Sequence, residues 1–435
     1  MKHGKEHSAG GDEAVSLSKR STLKWLGAGS VLLSGGALAL PAMAKSDNTA
    51  CDNTSRLREI PYLGKHQAGV ITPEQKEAIF LSLNLTVKTR DEVEGVFKRL
   101  TACISDLTRN RQAEKTAGDR MPPAESGILG TYLTADELTV TVSLGHSLFD
   151  DRFGFSHVKP QNFVEMTAFP NDRLDPDWCG GDILLQFCAN SRETVIYALR
   201  EVLRRLSGSV APLWKIDGFL PARDIECRTT PVNLFGFKDG TGNGDAGDAA
   251  LMDDLVWITK PEPSWIENGS YQAVRLIRFE LEFWDRTPLE DQENDFGRHK
   301  ATGAPMGKAR EHDDPEFQRD PHGDRVLFDS HMRRAEPRTT ERHVSKLRRR
   351  SYSYSLGLTP SGQLDMGLIF ISFQNDLKKG FISTQKRLNG EPLERYIKPF
   401  GGGYYLVLPG ISSAQNYIGE SLITAARTQA VSPAD

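Results

Sequence analysis

The chain has 435 residues, 38% hydrophobic and 26% charged, with a formal net charge of −4. That length allows two or three domains and that composition a buried core, so disordered, collagen-like and low-complexity classes are excluded. The mild acidity excludes a dedicated nucleic-acid binder, which carries a basic excess, and beyond the N-terminus no apolar run reaches the roughly 18–20 residues that span a bilayer.

The N-terminus reads as an address. A polar stretch leads to Ser18-Lys19-Arg20-Ser21-Thr22-Leu23-Lys24, then a weakly apolar run from Trp25 to Leu40 that ends at Pro41-Ala42-Met43-Ala44. A basic region, an apolar region and an A-x-A site are the parts of an export signal. The Lys19-Arg20 pair is similar to a twin-arginine signal with Lys in place of the first Arg. The expectation is a signal over 1–44, a flexible linker over 45–60 and a mature protein exported folded to the periplasm. A membrane anchor is the alternative, disfavoured by the short run and the cleavage site.

Along the mature chain, Ile79, Leu81, Leu83 and Leu85 alternate in a strand over 78–87. Thr89-Arg90-Asp91-Glu92 is a capping box that opens an amphipathic helix to about Leu107. Residues 138–144 alternate as a second strand, and 183–188 form a third. Asn190 with Glu193 caps a helix whose apolar face is Val195, Ile196, Leu199, Val202, Leu203 and Leu206, and 210–216 supply a last strand. This β-α-β-β-α-β order is the ferredoxin-like unit. The second half repeats it: a long strand over 272–284, a helix start at Thr287-Pro288-Leu289-Glu290 with Pro at the first helical position, strands over 351–356 and 367–373, a helix over 376–388 and a strand over 404–408. A large insertion occupies 297–341. The reading is an α+β fold of two ferredoxin-like domains with antiparallel sheets, over 61–225 and 226–428, with a tail at 429–435.

The five cysteines (Cys51, Cys103, Cys179, Cys188, Cys227) are too scattered for a disulfide framework or a CxxC metal site. His299, His312, His322, His331 and His343 lie in or beside the insertion, ahead of Lys346-Leu347-Arg348-Arg349-Arg350. Solvated loop histidines are expected at His312, His322 and His343. His331 stands apart in Phe328-Asp329-Ser330-His331-Met332-Arg333-Arg334-Ala335-Glu336-Pro337-Arg338, where one imidazole among arginines suits an axial ligand with anion-binding groups nearby. In Phe235-Gly236-Phe237-Lys238-Asp239-Gly240-Thr241-Gly242, glycines flank a lone acid, so backbone can approach a ligand closely and take positive φ. An ordinary Asp-Gly turn is the plainer reading. The strand-to-helix setting of a dinucleotide fingerprint is missing, and no GxxxxGK[ST], HExxH or GxSxG occurs.

These residues carry a family resemblance. Gly236-Phe237-Lys238-Asp239-Gly240 matches the GxxDG motif of dye-decolourising (DyP-type) haem peroxidases, Asp329-Ser330-His331-Met332-Arg333 matches their proximal-histidine segment, and Arg349 stands where they place a distal arginine. Asp182 in Gly180-Gly181-Asp182-Ile183, Gly303-Ala304-Pro305-Met306-Gly307, Tyr352-Ser353-Tyr354-Ser355 and Gly401-Gly402-Gly403-Tyr404 extend the likeness over about 60–428. The chain resembles most the exported deferrochelatase/peroxidase branch of bacterial ferrous-iron uptake. The resemblance implies two ferredoxin-like domains, one haem b per chain in the C-terminal one, and hydrogen peroxide as oxidant. It implies phenolic, dye-like or porphyrin donors, release of iron from haem, partners in an iron-uptake system, and a homodimer.

It also implies roles. His331 is the axial iron ligand, with His299 its rival, and Glu391 is the carboxylate partner, with Glu394 its rival; such a partner makes an imidazole more electron-donating. Asp239 moves the peroxide proton, and Arg349 stabilises developing negative charge. Arg348 and Arg350 share the strand face opposite Arg349, and a solvated basic face is the plain reading for two of the three. Gly240, Thr241 and Gly242 line the haem; Glu336, Pro337 and Arg338 follow the ligand, with Arg338 as propionate partner; Leu368 and Phe370 cap a haem face. Tyr352, Tyr354, Tyr404, Tyr405 and Trp284 carry electrons or simply pack. A non-enzymatic haem or iron carrier is the competing function; it has no need of an Asp239–Arg349 pair.

Overall fold

In the first half, odd and even strand positions face opposite ways, and both faces are apolar. The computed structural model describes residues 55–118, 120–259, 262–338 and 347–429. The expected signal, most of the linker, Cys51, His343 and nearly all of the tail lie outside the described residues. The long first-half strands are β1 (Glu77–Leu85), β2 (Thr139–Gly145), β3 (Ile183–Ala189) and β4 (Val210–Phe219). The second-half strands are β5 (Ser270–Phe279), the short β6 (Arg348–Arg349), β7 (Tyr352–Leu358), β8 (Leu364–Gln374) and β9 (Ile397–Val407).

Within each half the spatial order is ferredoxin-like: β2-β3-β1-β4, and β9-β5-β8-β7. The two sheets are continuous. β2 pairs with β9 at one seam, as in Leu144 against Leu406. β4 meets β7 at the other through Phe219 and Ser353. With β8 also paired to β5, the eight long strands close into an antiparallel ring.

Ile79, Leu81 and Leu83 face outward, onto the helices α1 (Arg90–Leu107) and α2 (Arg192–Arg205). Phe80 shares the other face with Leu184, Trp214, Val274, Tyr352, Ile369 and Tyr405, which fill the ring. This two-sided burial explains why the strands are near-continuous apolar runs.

The capping box forms as its spacing predicts: the Thr89 side chain accepts from Glu92 N, and the Glu92 side chain accepts from Thr89 N. Other boundaries differ. The N-cap of α2 is Ser191, and its hydroxyl bonds Asp136 and Thr194 instead of capping; Asn190 bonds Glu137. The expected strand over 272–284 stops at Phe279, and Leu281–Trp284 turns helical, because Glu280 O accepts from Phe283 N and Trp284 N and the chain leaves the ladder. Pro288 is the N-cap of α3 (Leu289–Phe296), one position before the expected place. The helix after β8 opens as a π-turn, Lys378–Ile382, before Ser383–Leu388. β9 begins at Ile397, well ahead of the expected start, because Gly401-Gly402-Gly403 remains in the ladder. Gly402 has φ +116°, and a Cβ there would lie 2.0 Å from the Val274 carbonyl oxygen, so only glycine fits.

Candidate active site

The outer face of the second-half sheet and a layer of short helices enclose a cavity of about 1630 Å³, counted out to its open mouth. Strand parity sets one wall. Leu368 and Phe370 of β8 line the cavity, while Ile369, Ile371 and Phe373 point into the ring. Ile277 and Phe279 of β5 extend the apolar wall. Leu388 and Leu393 stand among the short helical segments of the facing layer.

His331 opens the short helix α4 (His331–Ala335). The turn before it is locked by Arg333, which bonds Val326 O at 2.6 Å and Asp320 Oδ2 at 3.0 Å and stacks on Phe328. Arg334 bonds Asn389 O at 2.9 Å. Both arginines therefore hold the fold and are not the anion-binding groups expected of this segment. His331 Nδ1 lies 2.7 Å from Glu391 Oε2. Glu394 instead accepts from Gly390 N. Burial disfavours a charged imidazole, but the Glu391 carboxylate outweighs it and raises the His331 pKa above its ordinary value. With Nδ1 so held, Nε2 is the nitrogen left for the cavity, to which the side chain is 31% exposed. His299 does not line the cavity; its Nδ1 is 3.0 Å from Glu293. His312 and His322 are exposed.

Asp239 and Arg349 line the same cavity as His331. Asn233 shapes the Asp239 loop by accepting from Phe235 N and Phe237 N, and Asp239 N bonds Pro231 O at 2.8 Å. Arg349 Nη1 donates to Asp239 Oδ1 at 3.1 Å. Strand alternation separates the three arginines as the sequence predicts, but the other two are not solvated. Arg348, 7% exposed, bonds Gly244 O and Glu74, and Arg350, 1% exposed, bonds Thr72 O and Gln75. They anchor a first-half loop to the second-half sheet, which buries them.

Of the other expected cofactor contacts, Thr241, Gly242 and Glu336 line the cavity. Gly240 and Pro337 do not; Gly240 turns the loop at φ +124°. Arg338 borders only an adjoining side cavity of about 390 Å³ and is paired with Asp314 at 2.9 Å. The residue that sequence reasoning missed is Arg298. It lines both cavities and bonds the carbonyls of Gly303 (2.7 Å) and Glu311 (3.0 Å). Burial, with Arg349 and Arg338 nearby, pulls its pKa down to about 10. It carries no motif, and its neighbour His299 drew the chemical argument. A buried Arg275–Asp172 ion pair, also unforeseen, forms the far wall. Tyr352, Tyr354 and Tyr405 fill the ring, Trp284 bonds Phe235 O, and Tyr404 packs on the cavity residue Phe381. Cys103, Cys179, Cys188 and Cys227 are free.

Among the described residues, no group of three or more His, Cys, Asp or Glu side chains could hold a bare metal ion. A metal at His331 must therefore bring its other ligands with it. The long apolar walls, one imidazole with an acidic partner, and a partly buried cationic Arg298 shared with the side cavity fit a flat macrocycle with acidic edges, such as haem.

Comparison with known proteins agrees. A family described as Dyp-type peroxidase, N-terminal, matches residues 67–220, and Dyp-type peroxidase, C-terminal, matches 230–412. The chain is 47% identical over 411 residues to deferrochelatase of Escherichia coli strain K12, covering 93% of this chain and 97% of that one. Deferrochelatase of Shigella boydii serotype 4 matches to the same extent. Among solved structures, a DyP-type peroxidase from Cellulomonas bogoriensis is similar at 32% identity and a TM-score of 0.76, over 85% of this chain and 99% of that one. Ferric DtpA from Streptomyces lividans is similar at 28% identity and the same TM-score, over 85% and 98%.

Proposed function

The chain belongs to the Dyp-type peroxidase family, and from that premise we propose how its residues run a haem-dependent peroxidase that also takes iron out of haem. Haem, when bound, supplies the redox iron at which hydrogen peroxide is reduced and from which a donor is oxidised. His331 would hold the iron through Nε2, with Glu391 accepting from Nδ1–H, which fixes the tautomer and makes the imidazole a stronger donor. Arg298 meets the acidic edge in place of Arg338. Leu368 and Phe370 exclude water from one face.

In the same cavity, Asp239 would accept a proton from one peroxide oxygen and return it to the other, which leaves as water. Its Oδ1 is taken by Arg349, so Oδ2 is the atom for that transfer. The Arg349 guanidinium holds the negative charge that develops on the departing oxygen. The observation that carries this reading is that the 3.1 Å Asp239–Arg349 pair and the His331–Glu391 pair line one cavity. A carrier needs only the second pair, and this favours an enzyme.

The domain boundaries 61–225 and 226–428 are proposed on the tandem family matches at 67–220 and 230–412. Folded export to the periplasm is proposed on the signal-like residues 1–44. No helix among the described residues is long and apolar enough to cross a membrane. Homodimer formation and partners in an iron-uptake system are proposed on the family resemblance, and iron release on the deferrochelatase relatives.

The test is direct. Purified protein loaded with haem shows a Soret band and oxidises a phenolic donor only when peroxide is added. Incubated with haem and a reductant, it yields chelator-reactive ferrous iron and fluorescent metal-free porphyrin. Absence of a Soret band after reconstitution overturns the haem reading, and absence of free porphyrin overturns iron release.

A further inference from the structure

Asp239 sits on a turn flanked by two glycines with positive φ: Gly240 follows it at +124°, and Gly236 precedes it at +82°. The large insertion grips this turn from outside. Glu311, with its side chain 13% exposed, accepts from Lys238 Nζ through Oε2 and from Thr241 Oγ1 at 2.9 Å through Oε1. One carboxylate thus bonds a residue on each side of Asp239. The main chain of Glu311 is fixed in turn, because Arg298 Nη1 donates to both its carbonyl and that of Gly303. Gly303 is itself close-packed: a Cβ there would lie 2.8 Å from Lys238 Cδ.

We propose that Glu311 is a positioning residue for peroxide reduction: it clamps Lys238 and Thr241 and so holds the intervening Asp239 carboxylate at its working place opposite His331. The insertion then acts as a brace for the proton-transferring loop. Burial alone disfavours a charged Glu311, but its bonds with Lys238, Thr230 and Thr241 outweigh that and keep it ionised. An ionised carboxylate has acceptor sites enough to serve both partners together. Asp239 keeps its own bond to Arg349, so the clamp governs position and leaves the acid–base group in place. The proposal rests on the reading that Asp239 moves the peroxide proton.

The experiment uses the full haem-loaded chain and rapid mixing with hydrogen peroxide, followed at the Soret band. Glu311→Ala is expected to slow the reaction by about 10–100-fold, the cost of a small misplacement of a reacting group. Haem content, the resting spectrum and the KM for a phenolic donor stay unchanged. Glu311→Gln, of the same size and able to accept from Lys238, recovers the rate to within about threefold of wild type. Asp239→Asn is run beside them. If Asp239→Asn is slow and Glu311→Ala reacts at the wild-type rate, the clamp is wrong; if Asp239→Asn itself reacts normally, the underlying reading is wrong. Should Glu311→Ala fail to retain haem, Lys238→Met and Thr241→Val decide: slowing in either at unchanged haem content supports the clamp, and wild-type rates in both overturn it.

Discussion

The Asn243 amide donates to the Arg349 carbonyl at 2.8 Å and accepts from the Arg349 N–H at 2.9 Å. The loop that carries Asp239 and the strand that carries Arg349 are therefore joined main chain to side chain, a few residues from the pair they present. Asn243→Ala removes both bonds, each worth about 0.5–1.5 kcal/mol. It is expected to lower the melting temperature by several degrees and slow the reaction with peroxide, with haem content unchanged. Calorimetry and rapid mixing check the two effects.

Arg349 contributes charge as well as position. Arg349→Leu removes the donor that faces the developing negative oxygen and is expected to slow peroxide reduction by about 10²-fold, the usual loss for one such donor. Arg349→Lys keeps a charge without the two-pronged geometry and falls between. Steady-state rates at saturating donor measure both.

The pair of His331 and Glu391 makes a spectroscopic prediction. Glu391→Gln keeps a hydrogen-bond acceptor for Nδ1–H but removes the negative charge that makes His331 electron-rich. The haem reduction potential is expected to rise, read by redox titration. His331→Ala loses haem or its resting spectrum, whereas His299→Ala keeps both.

The far wall predicts stability. The Arg275 and Asp172 side chains are each 2% exposed, and Asp172→Ala leaves a buried guanidinium without its partner. Breaking such a pair from one side costs about 3–5 kcal/mol. Urea unfolding is expected to show that loss, and replacing both residues with apolar ones restores much of it.

Acid stability is expected to depend on Glu94. Its bonds from Lys98, Tyr417 and Arg427 hold its pKa down at about 2 and tie α1 to the C-terminal helix Glu420–Gln429. A depressed carboxylate stabilises the fold above its ordinary pKa, and that contribution fades as pH falls toward the folded value. Glu94→Gln should therefore be less stable than wild type at neutral pH, with the difference shrinking from about pH 4.5 down to about pH 2. Thermal melts across that range test it.

Much of this was legible in the sequence, for identifiable reasons. Alternation located most of the strands, because one-residue parity decides which side chains are buried. The same parity separated Arg349 from Arg348 and Arg350. Asp239 and His331 could be singled out because their segments carry motifs. The closing of two sheets into one ring was not legible, since the seams join strands far apart in sequence, such as Leu144 and Leu406. Nor were the burial of Arg348 and Arg350 or the site position of Arg298. A lone arginine in a polar stretch looks like surface until the fold brings main-chain carbonyls to it. Arg338 was the mirror case: near His331 in sequence, but held by Asp314 at the side cavity.

The central claim is that Asp239 moves the peroxide proton opposite a His331-held haem. Its most direct test is the second-order rate constant for hydrogen peroxide with haem-loaded wild type and Asp239→Asn, compared at equal haem content. The account predicts a fall of about 10²-fold or more in the variant, the usual contribution of one general acid–base group. An unchanged rate constant would contradict it.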